Sequence, residues 1–212
     1  MALRLLTLLP VAAIALAGCT RAGDIVEGGI QQVRSACPAV GIPAGTGDIT
    51  TFTAPGRTDA ASIDVTAAIT NVRSTCTEGA SEIVTNVTFD VVGRRSTADG
   101  AREVVLPYYT AVVQGGTAIV SKRTSRVALR FEPGQLRAQA SVVAGGSVSR
   151  AAATLPQDIE RQITQRRKAG EQDAAVDPLS IPAVRQAVLR ATFEVLVGFQ
   201  LTDDQLRYNA TR

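Results

Sequence analysis

The chain has 212 residues, of which 45% are apolar and 19% charged, and its formal net charge is +3. This suits one domain with appendages and supplies enough apolar surface for a sizeable core, which excludes wholesale disorder. Histidine and tryptophan are absent, so no Ser-His-Asp or Cys-His catalysis, no imidazole-ligated zinc and no histidine pH switch can be built.

Met1 to Arg4 opens with one positive charge, and the thirteen residues Leu5 to Ala17 are apolar apart from Thr7 and Pro10. That is shorter than the ~20 residues a membrane-spanning helix needs, and it fits the apolar stretch of a secretory signal. The stretch ends in Leu16–Ala17–Gly18–Cys19. These four residues resemble the lipobox of bacterial lipoproteins. The resemblance implies that residues 1–18 are a signal peptide and that the Cys19 thiol carries a diacylglycerol. The alternative is an ordinary secreted protein with a chance cysteine near its cut. Thr20 stands where enterobacterial lipoproteins carry an aspartate for inner-membrane retention. The resemblance therefore implies an outer-membrane anchor facing the periplasm. Residues 19–36 read as lipidated N-terminus and tether, small and polar as far as Gly29. Residues 37–212 read as one domain.

With Cys19 assigned to lipid, Cys37 and Cys76 remain as an even pair. An oxidising periplasm favours a disulfide between them. It would close a loop of about 40 residues, worth roughly 3–4 kcal/mol. Two buried free thiols are the alternative. A redox pair is disfavoured, because that role usually uses Cys-x-x-Cys.

From Asp48 onward the pattern is mostly period two. Ile63, Val65, Ala67 and Ile69 alternate with polar residues, and the phase breaks near Asn71, where a bulge is expected. Thr77–Glu78–Gly79 is a turn. Val87, Phe89 and Val91 alternate next, and Ala98–Asp99–Gly100 reads as a hairpin turn. Val104 to Val113 is apolar on both faces, as in a central strand, and Pro107 within it calls for a bulge or an edge. Gln114–Thr117 turns the chain. Ala118–Val120 begins a strand that continues through Val127, Leu129 and Phe131. Glu132–Gln135 turns again. Ala138, Ala140 and Val142 begin another strand, interrupted at Gly145–Gly146. The last run of alternation is Phe193, Val195, Val197, Phe199 and Leu201.

These signals predict a mainly β, antiparallel sandwich of immunoglobulin or fibronectin type. Its core should hold Phe89, Phe131, Phe193, Val195, Val197 and Phe199. A helical insertion at about 156–190 precedes the last strand. Pro156–Ala169 forms its first helix, with Gly170 as the stop, and Ser180–Ile181–Pro182 opens a second with Val184, Val188 and Leu189 on one side. Thr202–Gln205 has the form of a capping box for a last helix holding Leu206 and Tyr208.

Chemically the chain offers little. Arg166, Arg167 and Lys168 form the densest charge cluster, suited to an anionic surface or to a solvated helix end. Lys122, Arg123 and Arg126 form a second cluster, expected to face water. Asp203–Asp204 reads as a helix-dipole pair rather than a catalytic one. Of Tyr108 and Tyr109, at least one belongs in the core. No metal ligand set, phosphate loop or nucleophile motif is present, so no cofactor and no enzyme activity are expected. Nucleic acid is not an expected partner, since the basic clusters lack interleaved aromatics.

Phe193–Asn209 is similar to the ending of a group of uncharacterised alphaproteobacterial lipoproteins, whose two mature-chain cysteines match Cys37 and Cys76. The resemblance implies location and architecture without an activity. The function expected is that of a non-catalytic binding or structural module of the envelope, acting on an envelope protein or polymer. The alternatives are an accessory subunit in envelope transport or assembly and, less favoured, a hydrolase.

Overall fold

The computed structural model describes residues 25–26, 29–30, 35–165 and 176–211. The signal peptide, Cys19, Thr20, the cluster Arg166–Lys168 and Gly170 lie outside the described residues. β1 (Ile25–Val26) and β2 (Gly29–Ile30) pair antiparallel in a unit of their own.

The main unit holds eight strands: β3 (Ala39–Gly41), β4 (Asp48–Phe52), β5 (Ile63–Glu78), β6 (Glu82–Arg95), β7 (Arg102–Gln114), β8 (Ala118–Phe131), β9 (Arg137–Ser149) and β10 (Phe193–Phe199). They form two four-stranded sheets, ordered β3-β10-β7-β8 and β4-β5-β6-β9. Every ladder is antiparallel except β3 on β10, which is parallel.

Period-two alternation explains the layers. β6 alternates exposed and buried from end to end, which sends Ile83, Thr85, Val87, Phe89, Val91, Gly93 and Arg95 inward. Phe89, Phe131, Phe193, Val195, Val197 and Phe199 are all buried, and they belong to one cluster that draws on both sheets. Across the gap, Phe89 of β6 meets Tyr108 of β7 edge-on, with ring centroids 5.6 Å apart. Each such buried side chain contributes ~1.5–3 kcal/mol over leaving it in water.

The register of β5 on β6 shifts between Thr70 and Arg73, so the bulge falls at Asn71, whose φ is +52°. β7 is central, between β10 and β8. Its proline sits at neither a bulge nor a sheet edge. The β10 ladder ends at the pair Phe199–Tyr108, and the Pro107 carbonyl accepts from the Gln200 amide just beyond it. The missing N–H therefore faces the end of β10, where no ladder bond is lost.

Two readings change, and the expected turn at Glu132–Gln135 proves to link the two sheets. Ala98–Gly100 does not close a hairpin, because β6 and β7 lie in different sheets. Glu132–Gln135 likewise carries the chain from β8 in one sheet to β9 in the other. Gly145–Gly146 does not interrupt β9, which pairs with β6 straight through both residues. The glycines permit close approach instead. A Cβ on Gly146 would stand 2.6 Å from Val112 Cγ2 of the facing sheet, and one on Gly145 would collide with the Thr85 carbonyl.

α1 (Arg150–Ala153), a single unpredicted turn, and α2 (Gln157–Thr164) follow β9. α3 (Pro182–Arg190) precedes β10, with proline in its first turn. Its buried residues are Val184 and Ala187, whereas Leu189 is 40% exposed, so the inward face is rotated from the one predicted. β10 ends at Phe199, two residues before Leu201.

α4 (Asp203–Thr211) starts with the capping box. The Thr202 amide donates to Gln205 Oε1 and the Gln205 amide donates to Thr202 Oγ1. One turn on, the helix guards an open edge. Gln205 Nε2 donates to the Thr50 carbonyl and Asn209 Nδ2 to the Asp48 carbonyl, both on the edge strand β4. Residues four apart on a helix are spaced by ~6 Å and residues two apart on a strand by ~6.8 Å, so the two rows match. Tyr208 adds an edge-on contact with Phe52, centroids 5.1 Å apart. This side-chain cover blocks strand addition at β4.

Candidate interaction surface

The structure joins Cys37 to Cys76, with an S–S distance of 2.07 Å and Cα atoms 6.1 Å apart. Cys37 lies just before the short edge strand β3, and Cys76 lies near the end of β5 in the other sheet. The bond thus ties the chain's entry into one layer to the other layer.

At the opposite end of β6 lies a buried cation that the sequence analysis passed over. Arg95 is 3% exposed. Its Nε donates to the Gln135 carbonyl at 2.8 Å, Nη1 to Gly100 at 2.9 Å and Nη2 to Glu132 at 3.0 Å. The guanidinium carbon also lies 5.4 Å from the Phe131 ring centroid. Two of the inter-sheet connections, β6 to β7 and β8 to β9, are clipped by this one side chain. A signal for it existed: Arg95 continues the inward phase of Val87, Phe89 and Val91.

On the outer face of the β4 sheet, the bulge builds a polar cluster. Asp90 accepts from Ser141 Oγ at 2.6 Å and from Asn71 Nδ2 at 2.9 Å, and Asn71 Oδ1 accepts from Arg73 Nε at 3.0 Å. The Ser141 hydroxyl first, then the Asn71 amide, hold the Asp90 carboxyl below its ordinary range. Farther along, a shallow depression of about 340 Å³ is bordered by Asp48, Thr66, Ala68, Val92, Arg94 and Arg137. Among the described residues no cluster of three or more potential metal ligands occurs, and no helix is long and apolar enough to cross a membrane.

The most exposed chemistry lies on β8. This strand ends its sheet, and residues 118–126 are exposed throughout, with Ile119 at 65% and Val120 at 57%. Inward positions resume only at Val127. Lys122, Arg123 and Arg126, expected to face water, do so and form no salt bridge among the described residues. Glu103, the acid on the adjoining strand, is taken by Arg130 at 2.8 Å.

An aromatic anchors this strip. The Lys122 ammonium lies 4.6 Å from the Tyr109 ring centroid. The Tyr109 hydroxyl approaches Thr46 Oγ1 at 3.4 Å, and Gly198 on β10 leaves room for it: a Cβ there would collide with Thr46 Oγ1 and stand 3.0 Å from the Tyr109 hydroxyl. Tyr108 is buried and Tyr109 is half-buried on the other face, as alternation requires. The sequence separates Tyr109 from Lys122 by a hairpin, so their meeting was not visible in it.

The backbone direction along β8 also follows from Pro107. Its carbonyl points to β10, so Pro107–Arg126 is a non-hydrogen-bonded pair of the β7–β8 ladder. The N–H and C=O of Arg126 then point away from β7. Thr124 and Lys122, opposite Tyr109 and Ala111, share that parity. Six backbone groups line a free edge about 14 Å long, and none of them has a partner outside the ladder among the described residues.

Asp203 and Asp204 lie in the first turn of α4, at its positive end. The segment Phe193–Asn209 is β10 followed by most of α4. No family model matches the chain, and no curated protein or solved structure matches it either.

Proposed function

We propose that this chain is a lipid-anchored envelope protein whose β-rich unit faces the periplasm as a non-catalytic binding or structural module. One observation carries the reading. Of three cysteines, Cys37 and Cys76 are joined, which leaves Cys19 of the lipobox as the thiol for lipid. A disulfide of this kind also suits an oxidising compartment. Thr20 supports the outer membrane over the inner, and the likeness of Phe193–Asn209 to alphaproteobacterial lipoproteins supports a lipoprotein of the envelope.

The finer architecture belongs to the same proposal. Two sheets sharing one core support a β-sandwich. The immunoglobulin or fibronectin assignment finds no support in the strand order. Constant-type immunoglobulin domains place strands A, B, E and D in one sheet, with no three consecutive strands side by side. Here β4, β5 and β6 are consecutive neighbours, and β9 follows them.

Mass spectrometry of the mature N-terminus tests the anchor. Diacylglycerol on Cys19 is expected, and a Cys19→Ala variant should carry no lipid and be left unprocessed. A variant that is processed and membrane-bound as before overturns the anchor. A purified chain that turns over an envelope substrate overturns the non-catalytic reading.

A further inference from the structure

We infer that the free edge of β8 over Lys122–Arg126 is the docking site of this module, and that its occupant is an extended acidic segment of a partner protein added as a further strand. The inference deepens the binding-module reading and rests on it.

Three observations converge. The edge is hydrogen-bonding capacity without a partner among the described residues: the N–H and C=O of Lys122, Thr124 and Arg126 face outward. Such an edge is a template for strand addition, and main-chain bonds there supply affinity. In the other sheet the short edge strand β4 is covered by Gln205 and Asn209, so this fold protects that edge and leaves β8 open. Finally, the open edge is charged in one sense. Lys122 and Arg126 stand on its outer face with Tyr109, Arg123 stands on the reverse face, and none of the three cations has an acidic partner among the described residues.

Charge selects the occupant. A second copy pairing antiparallel about Thr124 would place Lys122 of one copy opposite Arg126 of the other, on both sides of the centre. Like charges directly opposite are destabilising. An incoming strand with acidic residues at alternate positions faces Lys122 and Arg126 with the opposite sign. Ile119 and Val120, next along the strand, give it apolar contact beyond the charged span.

The test uses the full mature chain and a nine-residue probe peptide alternating glutamate with valine and threonine. Its controls are the same peptide with lysine for glutamate, and the same peptide N-methylated at alternate amides to block its hydrogen-bonding edge. The acidic peptide should slow amide exchange at Lys122, Thr124 and Arg126 and leave Arg123 and Ser125, already bonded to β7, unchanged. Charge reversal (Lys122→Glu with Arg126→Glu) should weaken binding at least about tenfold, roughly 1.4 kcal/mol, and reverse the preference toward the lysine peptide. Thr124→Pro keeps every cation and removes one outward N–H, so it should weaken binding comparably. Should that variant fail to keep its circular dichroism, the N-methylated peptide reads the same bond from the other side, and it should bind at least about tenfold more weakly.

The inference is overturned by equal binding of acidic and lysine peptides, equal binding of the N-methylated peptide, unchanged exchange at the three amides, or protection of those amides by dimerisation without peptide. Equal binding of wild type and Thr124→Pro to phosphatidylglycerol-containing vesicles, in competition with the peptide, overturns it in favour of a lipid surface. A partner that crosslinks in cells through position 143 on β9 and not through position 124 refutes the edge while the module reading stands.

Discussion

Replacing Arg95 by methionine tests the claim that one buried guanidinium holds the β6–β7 and β8–β9 connections together. Methionine fills much of the same volume and removes all three donors. Charge-assisted bonds of this kind are worth ~1.5–3 kcal/mol each, so the gross loss is about 5–9 kcal/mol, with the Phe131 contact adding about 0.5–1 kcal/mol. Two effects reduce it. The acceptor residues Gly100, Glu132 and Gln135 are exposed, so water can reach their carbonyls in the variant. Removing the guanidinium also removes its own desolvation cost. The net expectation is a loss of ~2–4 kcal/mol in unfolding free energy. Lysine, with a single point charge in place of a planar fork, should recover only part of it. Urea unfolding of the oxidised protein followed by far-ultraviolet circular dichroism suits a chain without tryptophan. The midpoint should fall at constant slope, and amide exchange should quicken in residues 96–101 and 132–136. A methionine variant within about 0.5 kcal/mol of wild type would refute the reasoning.

Three further outcomes are expected. Thr85 is buried in the core with a hydroxyl that has no hydrogen-bond partner among the described residues; Thr85→Val should raise stability by ~1 kcal/mol, measured by the same unfolding curve, since no bond is lost when that hydroxyl goes. Removing the Cys37–Cys76 bond with a double serine variant should cost ~2–4 kcal/mol, because the unfolded chain regains the freedom of a loop with separation 39; an unchanged midpoint refutes the bond's role. The Arg102 guanidinium grips Asp64 through two bonds, at 2.7 and 2.6 Å, and that hydrogen bonding holds the Asp64 carboxyl below its ordinary range. The stabilisation is thus fully present above the unfolded carboxyl's pKa near 3.8 and is lost as pH falls through the lower folded value. After screening at the half-exposed arginine it amounts to ~0.5–1 kcal/mol, and the stability gap between wild type and Asp64→Asn should shrink by that amount on acidification.

The legible parts of this protein were those written in local periodicity. Inward phase is set by alternate Cβ directions within one strand, so the run Val87–Phe89–Val91, the run Phe193–Phe199 and the six core residues could be read without knowing any partner strand. The bulge at Asn71 was legible as a break in that phase, and the capping box at Thr202–Gln205 because it closes within one helical turn. Sheet membership was decided only in three dimensions. Ala98–Asp99–Gly100 has the chemistry of a tight turn, and such chemistry reverses the chain equally well within a sheet or between two sheets. The two glycines in β9 looked like breaks because the backbone and side chains they approach, at Thr85 and Val112, lie far away in sequence. Which edge would be covered was likewise a tertiary outcome: α4 could reach β4 only because β10 delivers it there, and β8 was left as the open end of its sheet. A residue's own side chain sets which face it takes, but whether that face and that edge meet water depends on what the rest of the chain brings against them.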